Sequence, residues 1–246
     1  MAINKVMVLG AGTMGMGIAQ VFAEAGKTVI VRDIADAFIQ RGEGVLKKNM
    51  EKKVAKGKIT EEKKAEMLGR LKATTDLNDL ANVDIVFEAM IEDMELKKDA
   101  FAKLAPIVKP EAIFVSNTSS LSITELATAS LRPEKFLGMH FFSPVPAMKL
   151  VEIIRGINTT PEVFQFTHDL AVELGKDPVE VEESPGFVVN KLLIPMINDA
   201  IALVETHAAT VEDIDKSMQL GANHPMGPLA LGDFIGLDVC LAIMET

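Results

Sequence analysis

The sequence predicts an α/β fold: a mainly parallel sheet carrying a helical-hairpin insertion, followed by a smaller all-helical domain. Three observations predict it. Short apolar runs alternate with helical patterns through the first two-thirds of the chain, the rhythm of βαβ units. The stretch from Ala35 to Arg70 holds room for two helices where a crossover normally holds one. Beyond Glu183-Ser184-Pro185-Gly186 only helical patterns remain.

In order, strands are expected over Lys5–Leu9, Thr28–Arg32, Leu71–Thr74, Asp84–Phe87 and Ala112–Ser116. Helices are expected over Met14–Ala25, Ala35–Lys56, Glu61–Arg70, Met94–Leu104 and Ile123–Ala127, with Gly57 breaking the projecting hairpin. Phe136–Phe142 and Lys149–Ile154 read as two further strands. The Ser143-Pro144-Val145-Pro146-Ala147 link between them is too short for a helical crossover, so the pair is predicted antiparallel. A helix over Pro161–Leu174 and a strand over Val179–Glu182 complete a first domain of residues 1–183. The second domain, 184–246, should hold helices over Phe187–Glu205, Val211–Leu220 and Leu229–Met244, with Ser184 capping the first and Pro185 opening it.

Bulk properties narrow the function. The 246 residues carry a net charge of −10, which disfavours nucleic acid as a partner, since phosphate neutralisation needs a basic surface. A single cysteine, Cys240, cannot form an internal disulfide and fits a reducing compartment. No apolar stretch reaches the ~20 residues that span a bilayer, and the run Val6–Leu9 enters a glycine loop rather than a cleavage site. A cytoplasmic protein without membrane partners is expected, and no metal site is read.

Gly10-Ala11-Gly12-Thr13-Met14-Gly15 follows the first strand and opens the first helix. In a Rossmann-type unit the first glycine permits the tight turn. The second lets a pyrophosphate approach the backbone, and the third lets helix and strand pack closely. The helix N-terminus, with Thr13 and Met14 in its first turn, offers N–H groups to the phosphates. Asp33 closes the second strand 18 residues after Gly15, where a carboxylate accepts ribose hydroxyls and repels a 2′-phosphate. NAD(H) is therefore expected over NADP(H), although Arg32 beside Asp33 could turn towards a phosphate. The competing reading is a glycine turn that only packs.

Of the four histidines, His140 alone lies in a strand, flanked by Phe141 and Phe142. If the hairpin is symmetric about Pro146, positions summing to 292 face each other and His140 meets Glu152. Facing side chains have Cβ atoms about 5 Å apart, within hydrogen-bonding reach. A carboxylate on one ring nitrogen fixes the tautomer and makes the other more basic, as alcohol oxidation requires. From spacing alone, a buried structural pair is an equal reading.

These blocks, with Ser116-Asn117-Thr118-Ser119-Ser120, Met148-Lys149-Leu150-Val151-Glu152, Pro185-Gly186-Phe187-Val188-Val189-Asn190 and Asn223-His224-Pro225-Met226-Gly227-Pro228, carry a resemblance. In order and spacing the chain resembles the L-3-hydroxyacyl-CoA dehydrogenase family over almost its whole length. The resemblance implies hydride transfer between NAD(H) and C3 of a short 3-hydroxyacyl-CoA, in fatty-acid or butyrate metabolism. It implies His140 as acid/base, Glu152 as its orienting partner, and Ser119 and Asn190 around the reacting oxygen. The site is then expected in a cleft between the domains. Glu92, Lys97 and Asn117 would lie near the cofactor; taken alone, Glu92 and Lys97 also read as solvated helix residues. Lys48, Lys52 and Lys56 recur on one helical face and would contact coenzyme A phosphates, or else form a solvated face balanced by Glu51, Glu61 and Glu62. Two features depart from the family: Ser143 replaces a common Asn, and the family continues a few tens of residues past Thr246, so the homodimer the family implies depends on the second domain as it stands. Two alternatives stand beside this: a β-hydroxyacid dehydrogenase acting on a free acid, with Lys191 as acid/base, or a non-catalytic, crystallin-like NAD-binding protein.

Overall fold

A computed structural model of the chain describes residues 3–245; Met1, Ala2 and Thr246, and with Thr246 the expectation about the chain end, lie outside the described residues. The chain divides into two compact units between Glu183 and Ser184. Among the described residues no helix is long and apolar enough to cross a membrane.

The first unit runs β1 (Lys5–Leu9), α1 (Thr13–Glu24), β2 (Thr28–Arg32), α2 (Asp36–Ala55), α3 (Glu61–Gly69), β3 (Leu71–Thr74), β4 (Ile85–Glu88), α4 (Met94–Leu104), β5 (Ile113–Ser116), α5 (Ile123–Ala127), β6 (Phe136–Phe141), β7 (Leu150–Arg155), α6 (Pro161–Glu173) and β8 (Asp177–Glu182). The eight strands form one sheet ordered β3-β2-β1-β4-β5-β6-β7-β8, in which only the β6–β7 pair is antiparallel. β1, β4 and β5 are buried almost throughout, as apolar strands covered by helices on both faces must be. Phe101 of α4 stacks edge-on against Phe136 of β6 at 4.8 Å between centroids, locking one helix layer to the sheet.

The helical hairpin forms as expected, with Gly57 at φ 65° between α2 and α3. It is docked rather than loose. A Cβ on Gly42, inside α2, would sit 2.3 Å from the Ala11 carbonyl oxygen, so α2 lies directly on the glycine loop. Glycine normally weakens a helix by about 1 kcal/mol relative to alanine, so sign separates this close approach from mere tolerance. Gly42→Ala is expected to lower Tm by about 3–6 °C, because an added carbon in a packed seam costs about 1–3 kcal/mol. Gly44→Ala, whose Cβ would meet nothing within 4 Å, should raise it. Equal shifts in a thermal melt would contradict this packing account.

Strand edges differ from expectation by one or two residues. Asp84 precedes β4 instead of opening it; its carboxylate accepts from the backbone N–H groups of Asn4 and Lys5 at 2.8 Å each. β8 begins earlier than expected, at Asp177.

The β6–β7 turn is clamped from two sides. A Cβ on Gly17 of α1 would meet the Val145 side chain at 2.9 Å. Lys176, only 6% exposed, donates to the carbonyls of Val145 at 2.5 Å and Met148 at 2.8 Å. Burial, and Lys149 nearby, pull this ammonium below the usual lysine range.

The second unit comprises α7 (Val189–Glu205), α8 (Val211–Gly221), α9 (Pro228–Ile235) and α10 (Leu237–Met244) around Ile194, Ile197 and Cys240. Two expectations are corrected here. Ser184 does not cap α7. Pro185-Gly186 instead forms a turn closed by Phe187 N–H to Ser184 O at 3.0 Å, with Gly186 at φ 75° and Phe187 at φ 52°. Two left-handed residues in succession exclude a helix, which starts only at Val189. The single helix expected over Leu229–Met244 is two, split at Gly236 with φ 101°. Asp215 caps α9 by accepting from Leu229 and Ala230 N–H at 2.8 and 3.0 Å. Gly227 is required there, since a Cβ would fall 2.2 Å from the Asp215 carboxyl carbon.

Candidate active site

β1, β4 and β5 end in register along one edge of the sheet: Leu9 pairs with Glu88 and Glu88 with Ser116. β1 has β2 on one side and β4 on the other, the reversal of strand order at which open α/β sheets bind ligands.

The glycine loop lies at this switch. Gly10, at φ 100°, brings the chain so close to β4 that a Cβ would lie 2.4 Å from the Ala89 carbonyl oxygen. A Cβ on Gly15 would lie 1.9 Å from the Gly10 carbonyl oxygen. The fold itself demands these two glycines. Gly12 is different. Its φ of −72° suits any residue, and a Cβ there would meet nothing within 4 Å. No side chain caps α1, and its first turn, which begins at Thr13 and Met14, contains no acidic residue. An open glycine at an uncapped helix N-terminus fits a phosphate group approaching from outside the chain. Asp33 lies just past β2 and accepts from Ala11 N–H and Ile34 N–H at 2.7 Å each, tying its carboxylate to the loop.

His140 and Glu152 are direct partners across β6 and β7. His140 Nδ1 lies 2.8 Å from a Glu152 carboxylate oxygen, with the two residues 6% and 1% exposed. An ionised carboxylate only accepts, so with Glu152 ionised the proton of a neutral imidazole sits on Nδ1. The Phe142 ring packs at 4.5 Å from the imidazole. The register runs from Leu137 opposite Arg155 to Phe141 opposite Val151, with residues 142–149 forming the link.

Lys97 corrects the solvated-helix reading, and Glu92 corrects the helical part of it. Lys97 is 1% exposed and bonds Glu88 at 2.6 Å and Glu92 at 3.1 Å. Glu92 lies before α4, not in it, and takes bonds from Thr118 Oγ1, Ser119 N–H at 2.9 Å and Ser120 Oγ at 3.3 Å. Asn117 Oδ1 accepts from Phe141 N–H at 2.9 Å, linking this segment to the residue after His140. Glu88, fully buried, also accepts from Ser116 Oγ at 2.6 Å. Sequence reasoning missed Glu88; the available signal was a lone carboxylate closing the all-apolar run Ile85-Val86-Phe87.

Burial pushes the Glu92 carboxyl up, but the Lys97 charge and the bonds from Thr118 and Ser119 outweigh it, holding the group below its ordinary value. A carboxylate lowered in the folded state adds stability above its unfolded value, and that stability is lost as pH falls through the folded one. Glu92→Gln is therefore expected to lower stability near pH 7 and to flatten the decline between about pH 5 and pH 3. Urea unfolding across that range checks it; parallel curves for the two proteins would contradict it.

Asn190 stands in the first turn of α7 in the second unit, half-buried. Lys48 and Lys52 are exposed on α2, and Lys56 is exposed at its end. Among the described residues none of the three forms an ion pair. Other lysines of the hairpin do, Lys47 with Glu43, Lys53 with Glu24 and Lys64 with Glu61.

Residues 5–184 match the family model described as 3-hydroxyacyl-CoA dehydrogenase, NAD binding domain, and residues 186–246 the C-terminal domain of the same enzymes. A probable 3-hydroxybutyryl-CoA dehydrogenase of Deinococcus radiodurans is 53% identical over 98% of this chain and 86% of its own. A 3-hydroxybutyryl-CoA dehydrogenase of Clostridioides difficile is 51% identical with the same coverage. The crystal structure of (S)-3-hydroxybutyryl-CoA dehydrogenase from Ralstonia eutropha superposes with a TM-score of 0.96 at 47% identity, over 99% of this chain and 86% of that one. The chain belongs to the 3-hydroxyacyl-CoA dehydrogenase family.

Proposed function

We propose that the protein transfers a hydride between NAD(H) and C3 of a short 3-hydroxyacyl-CoA or 3-ketoacyl-CoA, the 3-hydroxybutyryl-CoA/acetoacetyl-CoA pair. The observation that carries this is the 2.8 Å contact of His140 with a buried Glu152, at the hairpin beside the glycine-loop edge. The printed names of the relatives supply the substrate class.

Bound NAD(H) supplies the hydride acceptor or donor; the rest of the chemistry belongs to the chain. In oxidation His140 Nε2 takes the C3 hydroxyl proton while Glu152 holds the ring and stabilises the imidazolium. In reduction His140 returns that proton. Ser119 and Asn190 donate to the oxygen as negative charge develops. Gly10, Gly12, Thr13, Met14 and Gly15 hold the pyrophosphate, and Asp33 the ribose. A 2′-phosphate would face the Asp33 charge, which favours NAD(H) over NADP(H). Lys48, Lys52 and Lys56, free of ion pairs, serve the phosphates of coenzyme A. A cytoplasmic homodimer belongs to the same reading; the lone Cys240 supports the compartment, and exposed Leu220 and Phe234 offer apolar area to a second copy.

The test is a spectrophotometric assay of NADH against NADPH, with acetoacetyl-CoA against free acetoacetate. NADH oxidation with acetoacetyl-CoA alone is expected. Turnover of the free acid at comparable rate would move the assignment to a β-hydroxyacid dehydrogenase, and no turnover at all to a non-catalytic protein.

A further inference from the structure

We propose that Asn117 is a positioning residue for His140: its side-chain oxygen continues the β5–β6 ladder beyond the end of β5 and fixes the backbone that carries the imidazole. This deepens the dehydrogenase reading and rests on it, since it gives Asn117 a part in the proton transfer assigned to His140.

β5 stops before β6 does. Their parallel register ends with Ser116 opposite Gly138, whereas β6 runs on to Phe141. His140 therefore stands on a stretch of strand that β5 no longer backs. On the other flank β7 pairs it, His140 with Glu152 and Phe141 with Val151. A strand paired on one flank only is an edge, and the bulges that re-aim side chains concentrate at edges.

Asn117 closes the open flank. Its Oδ1 accepts from Phe141 N–H at 2.9 Å, a side chain standing in for the next carbonyl of the ladder. Asn117 is itself held, because its own N–H donates to the Glu88 carbonyl at 2.9 Å, at the end of the β4–β5 ladder. Ser116 Oγ donates to the Glu88 carboxylate at 2.6 Å and accepts from Thr118 N–H at 3.2 Å, which fixes the backbone on both sides of Asn117. One residue thus ties the ends of β4 and β5 to β6, next to His140. Phe141 is 2% exposed and its ring meets Phe87 edge-on at 6.0 Å, so water offers its N–H little replacement for a lost acceptor. The Nδ2 donors of Asn117 have no partner among the described residues and stay available to a ligand. Oxygen and nitrogen of this amide therefore serve separately, and only the oxygen bears on His140. Misplacing a catalytic group by about 1 Å costs about 10²-fold in rate, so this bond is expected to register in turnover.

kcat at saturating NADH and acetoacetyl-CoA separates the two groups. Asn117→Leu removes the acceptor at similar shape and should lower kcat about 10–100-fold. Asn117→Asp keeps an oxygen at the same reach and drops the NH₂ group, so its kcat should stay within about fivefold of the parent. An aspartate variant as slow as the leucine variant would place the working group on nitrogen and overturn the proposal, with the dehydrogenase reading intact. The second arm is coupling. In a His140→Gln background Asn117→Leu should change the residual kcat less than about threefold, because no imidazole is left to position. The full effect in that background would also overturn the proposal. If Asn117→Leu fails to fold, a crystal structure of the parent with NAD+ and acetoacetyl-CoA decides, by whether Oδ1 still holds Phe141 N–H or has turned away from it. A parent that neither binds nor oxidises NADH would remove the dehydrogenase reading and this proposal together.

Discussion

His140→Gln is expected to lower kcat with acetoacetyl-CoA and NADH by about 10²–10⁴-fold while NADH affinity stays within about threefold, because general acid–base catalysis contributes on that scale. The asymmetry follows from placement. The imidazole lies on β6, hydrogen-bonded to β7, whereas the groups read as holding the dinucleotide follow β1 and β2. Glutamine fills most of the imidazole volume and can still bond Glu152, so the buried carboxylate keeps a partner and the sheet keeps its register. What is lost is a group that takes and returns a proton. Full activity in this variant would end the acid/base assignment. Loss of NADH binding alongside turnover would point to a collapsed hairpin.

Glu152→Gln should come close behind, with kcat reduced about 10²–10³-fold and NADH affinity again retained. Glu152 is 1% exposed, so its contact with His140 Nδ1 operates where water screens little. An amide can still meet Nδ1, but it brings no charge to stabilise the imidazolium, and its NH₂ can donate to Nδ1 and drive the proton onto Nε2. Either effect removes the base. Glu152→Asp keeps the charge but shortens the arm by one methylene, and partial recovery in that variant would tie the loss to the missing charge. If Glu152→Gln turned over like the parent, the pair would be a structural contact only.

The register of that pair was legible because a short link between two apolar strands returns the chain as an antiparallel hairpin, and the structure pairs His140 with Glu152 as the symmetric count requires. The glycine loop was legible for the same kind of reason. Gly10 and Gly15 leave no room for a side chain, and a sequence can announce that a side chain is forbidden. What stayed hidden was determined by long-range contacts. Gly42 inside α2 looks like a flaw in the helix until Ala11 is found against it. Glu88 and Lys97 are nine positions apart, each unremarkable, and only the sheet edge turns them into a buried pair. The second-unit errors were conformational. Pro185 at a helix start and Gly236 within an apolar run were both read as compatible with helix, but left-handed φ at Gly186, Phe187 and Gly236 breaks the chain there. Local propensity cannot see these turns, since it scores residue types rather than the backbone directions that tertiary packing imposes.

The most direct measurement is a crystal structure of the chain with NAD+ and acetoacetyl-CoA bound together. The account predicts the C3 oxygen of the acyl group about 2.6–3.2 Å from His140 Nε2, with Glu152 still on Nδ1. An acyl oxygen beyond hydrogen-bonding reach, with the imidazole turned from the ligand, would contradict it and leave only a nucleotide-binding sheet.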